Sequence, residues 1–177
     1  ESCMTLGPQW SWKPDDKIKT AAEVIGILAQ TVGGDGNLLL DVGPMPDGRI
    51  EPRQVEVLKE VGAWMKVNGE SIYGTRGGPW KPTKEIASTR KGKTIYVHVL
   101  KWPESGVVQL PPIPAKIKSA TLLGGSKVKY SQTQLGVEFS VAPEFRNASA
   151  TVVAFTLDSD AMNISPLEIA PLVSPAK

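Results

Sequence analysis

Apolar positions along the chain follow two different periods. Ile18, Ala21, Ile25, Leu28 and Val32 recur every three or four residues, which lines up one stripe of an α-helix beginning near Asp15-Asp16 and stopped by Gly33-Gly34. The run Asn37-Leu38-Leu39-Leu40-Asp41-Val42 predicts a short strand buried on both faces, as in a parallel sheet covered by helices. Gly43-Pro44-Met45-Pro46-Asp47-Gly48 follows as a loop rich in turn residues. A second helix starts at Pro52 and stops at Asn68-Gly69, with Val55, Leu58, Gly62 and Met65 on its inner face. Residues 1–78 thus read as an α/β unit.

Beyond Trp80 the helical period disappears. Short alternating runs at 86–89, 94–101, 107–110, 117–123, 128–131, 137–141 and 151–157 predict seven strands, the first two flanking a hairpin turn at Arg90-Lys91-Gly92-Lys93. Closely spaced strands with no helix between them suggest an antiparallel β-sandwich over residues 79–158. The remainder, 159–177, holds Pro166, Pro171 and Pro175 and reads as an extended surface segment or a frayed end. The fold class is therefore α/β followed by all-β.

Composition narrows the chemistry. At 177 residues, 41% of them hydrophobic and 21% charged, the chain has the make-up of a globular protein and too little length for a complete large enzyme. Charge is divided along it: residues 1–78 carry 8 Lys/Arg against 11 Asp/Glu, residues 79–158 carry 11 against 5. The net charge of +2 gives no reason to expect nucleic acid as a partner, and no apolar run is long enough to span a bilayer. Cys3 and His98 are the sole residues of their types. An internal disulfide, a cysteine zinc site and a histidine metal triad are thereby excluded, and neither a metal nor a cofactor is expected. Asp47-Gly48 lacks the alternating acidic positions of a calcium loop and reads as a turn. His98 alternates with Tyr96 and Leu100 on a strand and reads as structural or solvent-facing. Lys116, Lys118, Lys127 and Lys129 read as solvated strand faces. Asn147-Ala148-Ser149 and Asn163-Ile164-Ser165 fit the glycosylation triplet, a pattern that often arises by chance. The opening residues, with no initiator methionine and no signal peptide, look like an internal start.

Several motifs converge on one family. Gly36-Asn37-Leu38-Leu39-Leu40-Asp41, the loop Gly43-Pro44-Met45-Pro46-Asp47-Gly48, and Asn68-Gly69-Glu70-Ser71-Ile72-Tyr73 resemble the signature of glycoside hydrolase family 29, the α-L-fucosidases. Upstream, Glu1-Ser2-Cys3 and Trp10-Ser11-Trp12 look like that family's Glu-x-Cys and Trp-Gly-Tyr. Downstream, Trp102-Pro103-Glu104-Ser105-Gly106 is similar to its Trp-Pro-x-x-Gly. The resemblance covers residues 1–157. It implies the last elements of a (β/α)8 barrel, completed by an upstream segment or another chain, with a β-sandwich appended.

The resemblance also implies retaining hydrolysis of terminal α-L-fucose from an oligosaccharide or glycoconjugate, which needs a nucleophilic carboxylate and a carboxylic acid/base at close separation. The family's Asp nucleophile lies on an earlier strand, so no residue here corresponds to it, and the chain alone is expected to be inactive. Glu1 matches a family glutamate considered for the acid/base; the alternative is a carboxylate at the pocket edge or with a structural role. Trp10 corresponds to the aromatic platform for fucose, whose methyl-bearing face is apolar, the alternative being an indole that plugs the top of the barrel or packs against the next loop; Trp12 reads as a packing residue. Asp41 stands where the family more often has Asn, and reads as a carboxylate hydrogen-bonded to loop amides or as a pocket residue. Family resemblance implies a secreted, periplasmic or lysosomal setting. A non-catalytic module that binds carbohydrate or another subunit is the leading alternative, and a structural remnant the third.

Overall fold

The structure, a computed structural model, describes residues 1–169. β1 (Ser2–Thr5) leads through α1 (Ala21–Gly33) to β2 (Leu38–Asp41), which lies parallel to β1 with Ser2 opposite Leu38 and Thr5 opposite Asp41. α2 (Pro52–Asn68) follows. Then come β3 (Arg76–Gly77), β4 (Ile86–Lys91), β5 (Thr94–Val99), β6 (Val107–Leu110), β7 (Ile117–Leu122), β8 (Lys129–Thr133), β9 (Gly136–Ser140) and β10 (Thr151–Leu157). They form two antiparallel sheets, one ordered β3-β4-β5-β10-β7 and the other β6-β9-β8.

The two sheets enclose the larger core. Alternation sends Val108 and Leu110 of β6 and Val137 and Phe139 of β9 inward, with exposed neighbours between them. Phe139 and Phe155 meet edge-to-face at 5.4 Å between centroids, the geometry that aromatic quadrupoles favour. Five consecutive residues of β10, Thr151 to Phe155, are buried. Such a run is possible because the five-stranded sheet is covered on both sides: one face meets the smaller sheet, and the other packs Tyr96, Val152 and Ala154 against Ile25 of α1 and Trp64 of α2. The Trp64 indole donates to the Ala150 carbonyl at 2.9 Å, so a polar atom buried in this second core is satisfied.

Several expectations are corrected. The first helix starts at Ala21 rather than near Asp15-Asp16, because Thr20 and Glu23 form a capping box. Its buried positions are Ala21, Val24, Ile25, Ala29 and Gly33, so Ile18 precedes the helix and Leu28 and Val32 lie beside the stripe. α2 does start at Pro52, yet it buries Gln54, Trp64 and Asn68 while Gly62 is exposed; the helix is turned so that Trp64 reaches the sheet. Leu39 is 51% exposed, so β2 is not buried on both faces, β1 being its one strand neighbour. The β4–β5 turn is Gly92-Lys93 alone, since Arg90 and Lys91 are paired within the ladder. An eighth strand, β3, pairs with β4 and places the first residues of the sheet before position 79. The start of the predicted tail is packed rather than frayed: Ala161 and Ile164 are buried, and Arg90 Nη1 donates to both of their carbonyls. Pro171 and Pro175 lie outside the described residues.

Candidate functional site

Parallel strands put their C-terminal ends on one edge, here Thr5 and Asp41, and the loops leaving that edge are where an α/β protein displays function. The loop after β1 carries Trp10 and Trp12; the loop after β2 runs through Gly43 to Glu51. The pairing continues one step past the strands, with Leu6 N donating to the Asp41 carbonyl at 3.1 Å. Lys19 Nζ then gathers the Thr5 and Gly7 carbonyls at 2.8 and 3.3 Å. A single ammonium thus closes the base of the first loop.

The two loops touch at Trp12. A Cβ on Gly43 would lie 2.7 Å from the Trp12 backbone nitrogen, so the absence of a side chain at 43 permits this approach. The Trp12 indole donates to Glu51 Oε2 at 3.0 Å, and Arg53 Nε donates to the other carboxylate oxygen. Glu51 is 8% exposed. Burial pushes its carboxyl up, but the hydrogen bond from Arg53 and then that from Trp12 outweigh burial and hold it below the usual carboxylate range. Gln54 donates to the Gly43 carbonyl at 3.5 Å, and its Oε1 is buried with no partner among the described residues.

Trp10 is 63% exposed, two residues from the anchored Trp12 and on the same edge. Glu1 precedes β1, at the opposite end of the strand from that loop, and is exposed. The structure does not bring Glu1 and Trp10 together. Asp41 is half-buried; among the described residues its carboxylate accepts no hydrogen bond, and only its backbone carbonyl is engaged by the loop. Asp47-Gly48 forms a turn, with Met45 N donating to Arg49 O and Gly48 N to Met45 O, both at 2.8 Å. His98 is fully buried under α2, 6.3 Å from Trp64 between ring centroids, and is structural. The four lysines of the sandwich are exposed, and Cys3 is a free, exposed thiol. No group of three His, Cys, Asp or Glu among the described residues is placed to hold a metal ion, and none of their helices is long and apolar enough to cross a membrane. Glu51, Gln54 and Lys19 are absent from the expected site residues. Glu51 carries a weak signal, a carboxylate directly before a helix-starting proline, but that pattern reads equally as an N-terminal charge on the helix dipole.

Residues 1–70 match the family model described as alpha-L-fucosidase, and residues 81–158 match the alpha-L-fucosidase C-terminal domain. The chain belongs to the α-L-fucosidase family. It is 37% identical over 134 residues to the human tissue alpha-L-fucosidase, covering 70% of this chain and 28% of that protein. With the alpha-L-fucosidase of Branchiostoma floridae it shares 35% identity over the same length, 29% of that relative. The chain therefore spans less than a third of the curated relatives it matches here. Among solved structures, alpha-L-fucosidase isoenzyme 1 from Paenibacillus thiaminolyticus superimposes with a TM-score of 0.80 at 31% identity, covering 89% of this chain and 39% of that one. A Bacteroides thetaiotaomicron alpha-L-fucosidase, solved as a trapped covalent intermediate with 2-fluoro-fucosyl fluoride, gives 0.78 at 25% identity over 89% of this chain and 38% of its own.

Proposed function

We propose that this chain forms the closing part of the catalytic barrel and the appended sandwich of a retaining α-L-fucosidase, and that it lends one wall of the sugar pocket. The observation that carries the proposal is the parallel β1–β2 pair within the family-matched segment, whose C-terminal edge presents the exposed Trp10. An isolated parallel pair leaves backbone groups unpaired along its outer edges and the Leu39 side chain in water, so further strands complete it. The sugar is a terminal α-L-fucosyl unit of an oligosaccharide or glycoconjugate. Trp10 packs on its methyl-bearing face, and the nucleophilic carboxylate comes from upstream of Glu1. A fucosidase's route gives the chain a secreted, periplasmic or lysosomal setting.

Glu1, the other candidate, stands at the far end of β1 from Trp10, so in this reading it takes a structural or pocket-edge role rather than that of proton donor. In the full-length enzyme, Glu1→Gln should therefore affect substrates with poor leaving groups and activated aryl fucosides alike; a loss much greater on poor leaving groups would make Glu1 the proton donor. For the proposal as a whole, the full-length polypeptide hydrolyses an aryl α-L-fucoside while purified residues 1–177 do not. Turnover by the chain alone, at the rate of the full-length enzyme, would show that no upstream carboxylate is needed.

A further inference from the structure

We infer that Glu51 is a positioning residue for the sugar-facing loop, acting through Trp12 on the orientation of Trp10. The inference rests on the placement of Trp10 against fucose proposed above.

Glu51 stands directly before α2, where a carboxylate ordinarily caps the first turn of its own helix. It makes no such cap. One of its oxygens receives the Trp12 indole proton across 39 positions of sequence, and the other receives Arg53. Arg53 is itself tied to the loop, its Nη1 donating to the Asp16 carbonyl at 3.2 Å. The loop is thus fastened to the start of α2 at Trp12 and at Asp16, and at its base by Lys19. Between Lys19 and β1 the one long aromatic left unfastened is Trp10, which stands 63% exposed two residues from the Trp12 anchor. A charge-assisted bond in a shielded site is stronger and more directional than a neutral one, and a platform for a sugar must be held in place before the sugar arrives. Glu51 supplies that hold without itself facing the sugar.

The test uses the full-length enzyme, in which β1 and β2 have their neighbours. With tryptophan 15N-labelled and the Trp12 indole resonance identified by its loss in Trp12→Phe, Glu51→Ala shifts that resonance toward the free-indole position and speeds its exchange with water. Glu51→Gln, which keeps an acceptor, restores much of the shift. Arg53→Ala leaves the bond in place but raises the pH at which the Trp12 indole responds to Glu51 protonation, because Arg53 is the main cause of the low Glu51 pKa. In kinetics, Glu51→Ala raises KM for an aryl α-L-fucoside about three- to tenfold with kcat nearly unchanged, and adds little to Trp10→Ala, since coupled residues are not additive. An indole resonance indifferent to Glu51→Ala, or KM penalties that multiply in the double variant, would overturn the inference while leaving the Trp10 assignment intact. Silence of Trp10→Ala by itself would overturn both the assignment and the role drawn from it.

Discussion

His98 Nε2 lies 3.3 Å from Thr89 Oγ1, and Thr89 spends its own proton on the Ser71 carbonyl at 2.6 Å. The Thr89 oxygen can therefore only accept from the imidazole, which places the ring proton on Nε2 and leaves Nδ1, buried and without a partner among the described residues, as a bare acceptor. The chain's one histidine is a neutral link between the five-stranded sheet and the turn that ends α2.

That state makes stability depend on pH. Burial pushes the His98 pKa down from 6.5 to about 4. Above pH 6.5 the ring is neutral in both folded and unfolded chains and contributes no dependence. As pH falls from 6.5 to about 4 the unfolded chain takes up a proton that the folded chain refuses, so stability drops, by about 3 kcal/mol at about 1.4 kcal/mol per pH unit. In His98→Gln, which keeps a donor for Thr89 and cannot titrate, the unfolding free energy should be lower at neutral pH and flatter over that interval. Urea midpoints measured at pH 7, 6, 5 and 4.5 check this; parallel profiles for the two proteins would mean that His98 is hydrated.

The junction between α1 and the sheet should be sensitive to a single methyl group. Asp35, at φ 65°, accepts from Arg76 Nε at 2.8 Å and Gly77 N at 2.9 Å. These bonds, that from Arg76 first, hold its carboxyl well below the usual range. A Cβ at Gly77 would lie 2.5 Å from Asp35 N and 2.6 Å from the Gly33 carbonyl oxygen, contacts that only backbone movement can relieve. Gly77→Ala should therefore destabilise by more than about 2 kcal/mol, and Asp35→Asn, which keeps an acceptor and tolerates a left-handed backbone, by about 1 kcal/mol or less. Chemical denaturation of both variants decides; the reverse ranking would mean that the ion pair, not the close backbone contact, governs the junction.

Trp10→Ala in the full-length enzyme should weaken fucose binding by about 1 to 3 kcal/mol, the worth of an indole packed on an apolar sugar face. Much of that contact exists in ground and transition states alike, so the loss appears first in KM. An arabinose-type substrate, lacking C6, should suffer less. Equal penalties for the two sugars would make Trp10 a structural plug.

Hydrogen exchange should separate the two halves of the isolated chain. β5 and β10 are covered on both faces, whereas β1 and β2 have only each other and Leu39 is exposed. Amides from Leu38 to Asp41 should exchange at least about 100-fold faster than those of Val97 and Val153. Equal protection would mean that the pair is stable without further strands.

Local physics was readable from the amino-acid order. The bounds of β6 and β10 and the start of α2 at Pro52 agree with their alternation and turn chemistry, because backbone period and proline geometry act over a few residues. The ordered motifs around Asn37, Asp47 and Asn68 carried the family. The orientation of each element was not readable. Val55, Leu58, Gly62 and Met65 form as plausible an apolar stripe on α2 as the face actually buried, and the choice was made by Trp64 reaching the Ala150 carbonyl, 86 positions away. Of the candidate site, Trp10 was visible through the family resemblance, as an aromatic in the loop before the first helix. The Glu51–Trp12 bond was not, since these two residues become partners only when Gly43 lets the two loops approach. Sequence alone determined the strand alternation of the sandwich, the start of α2 and the family. Which buried carboxylate meets which indole was decided by the tertiary structure, because those contacts join residues that no local rule relates.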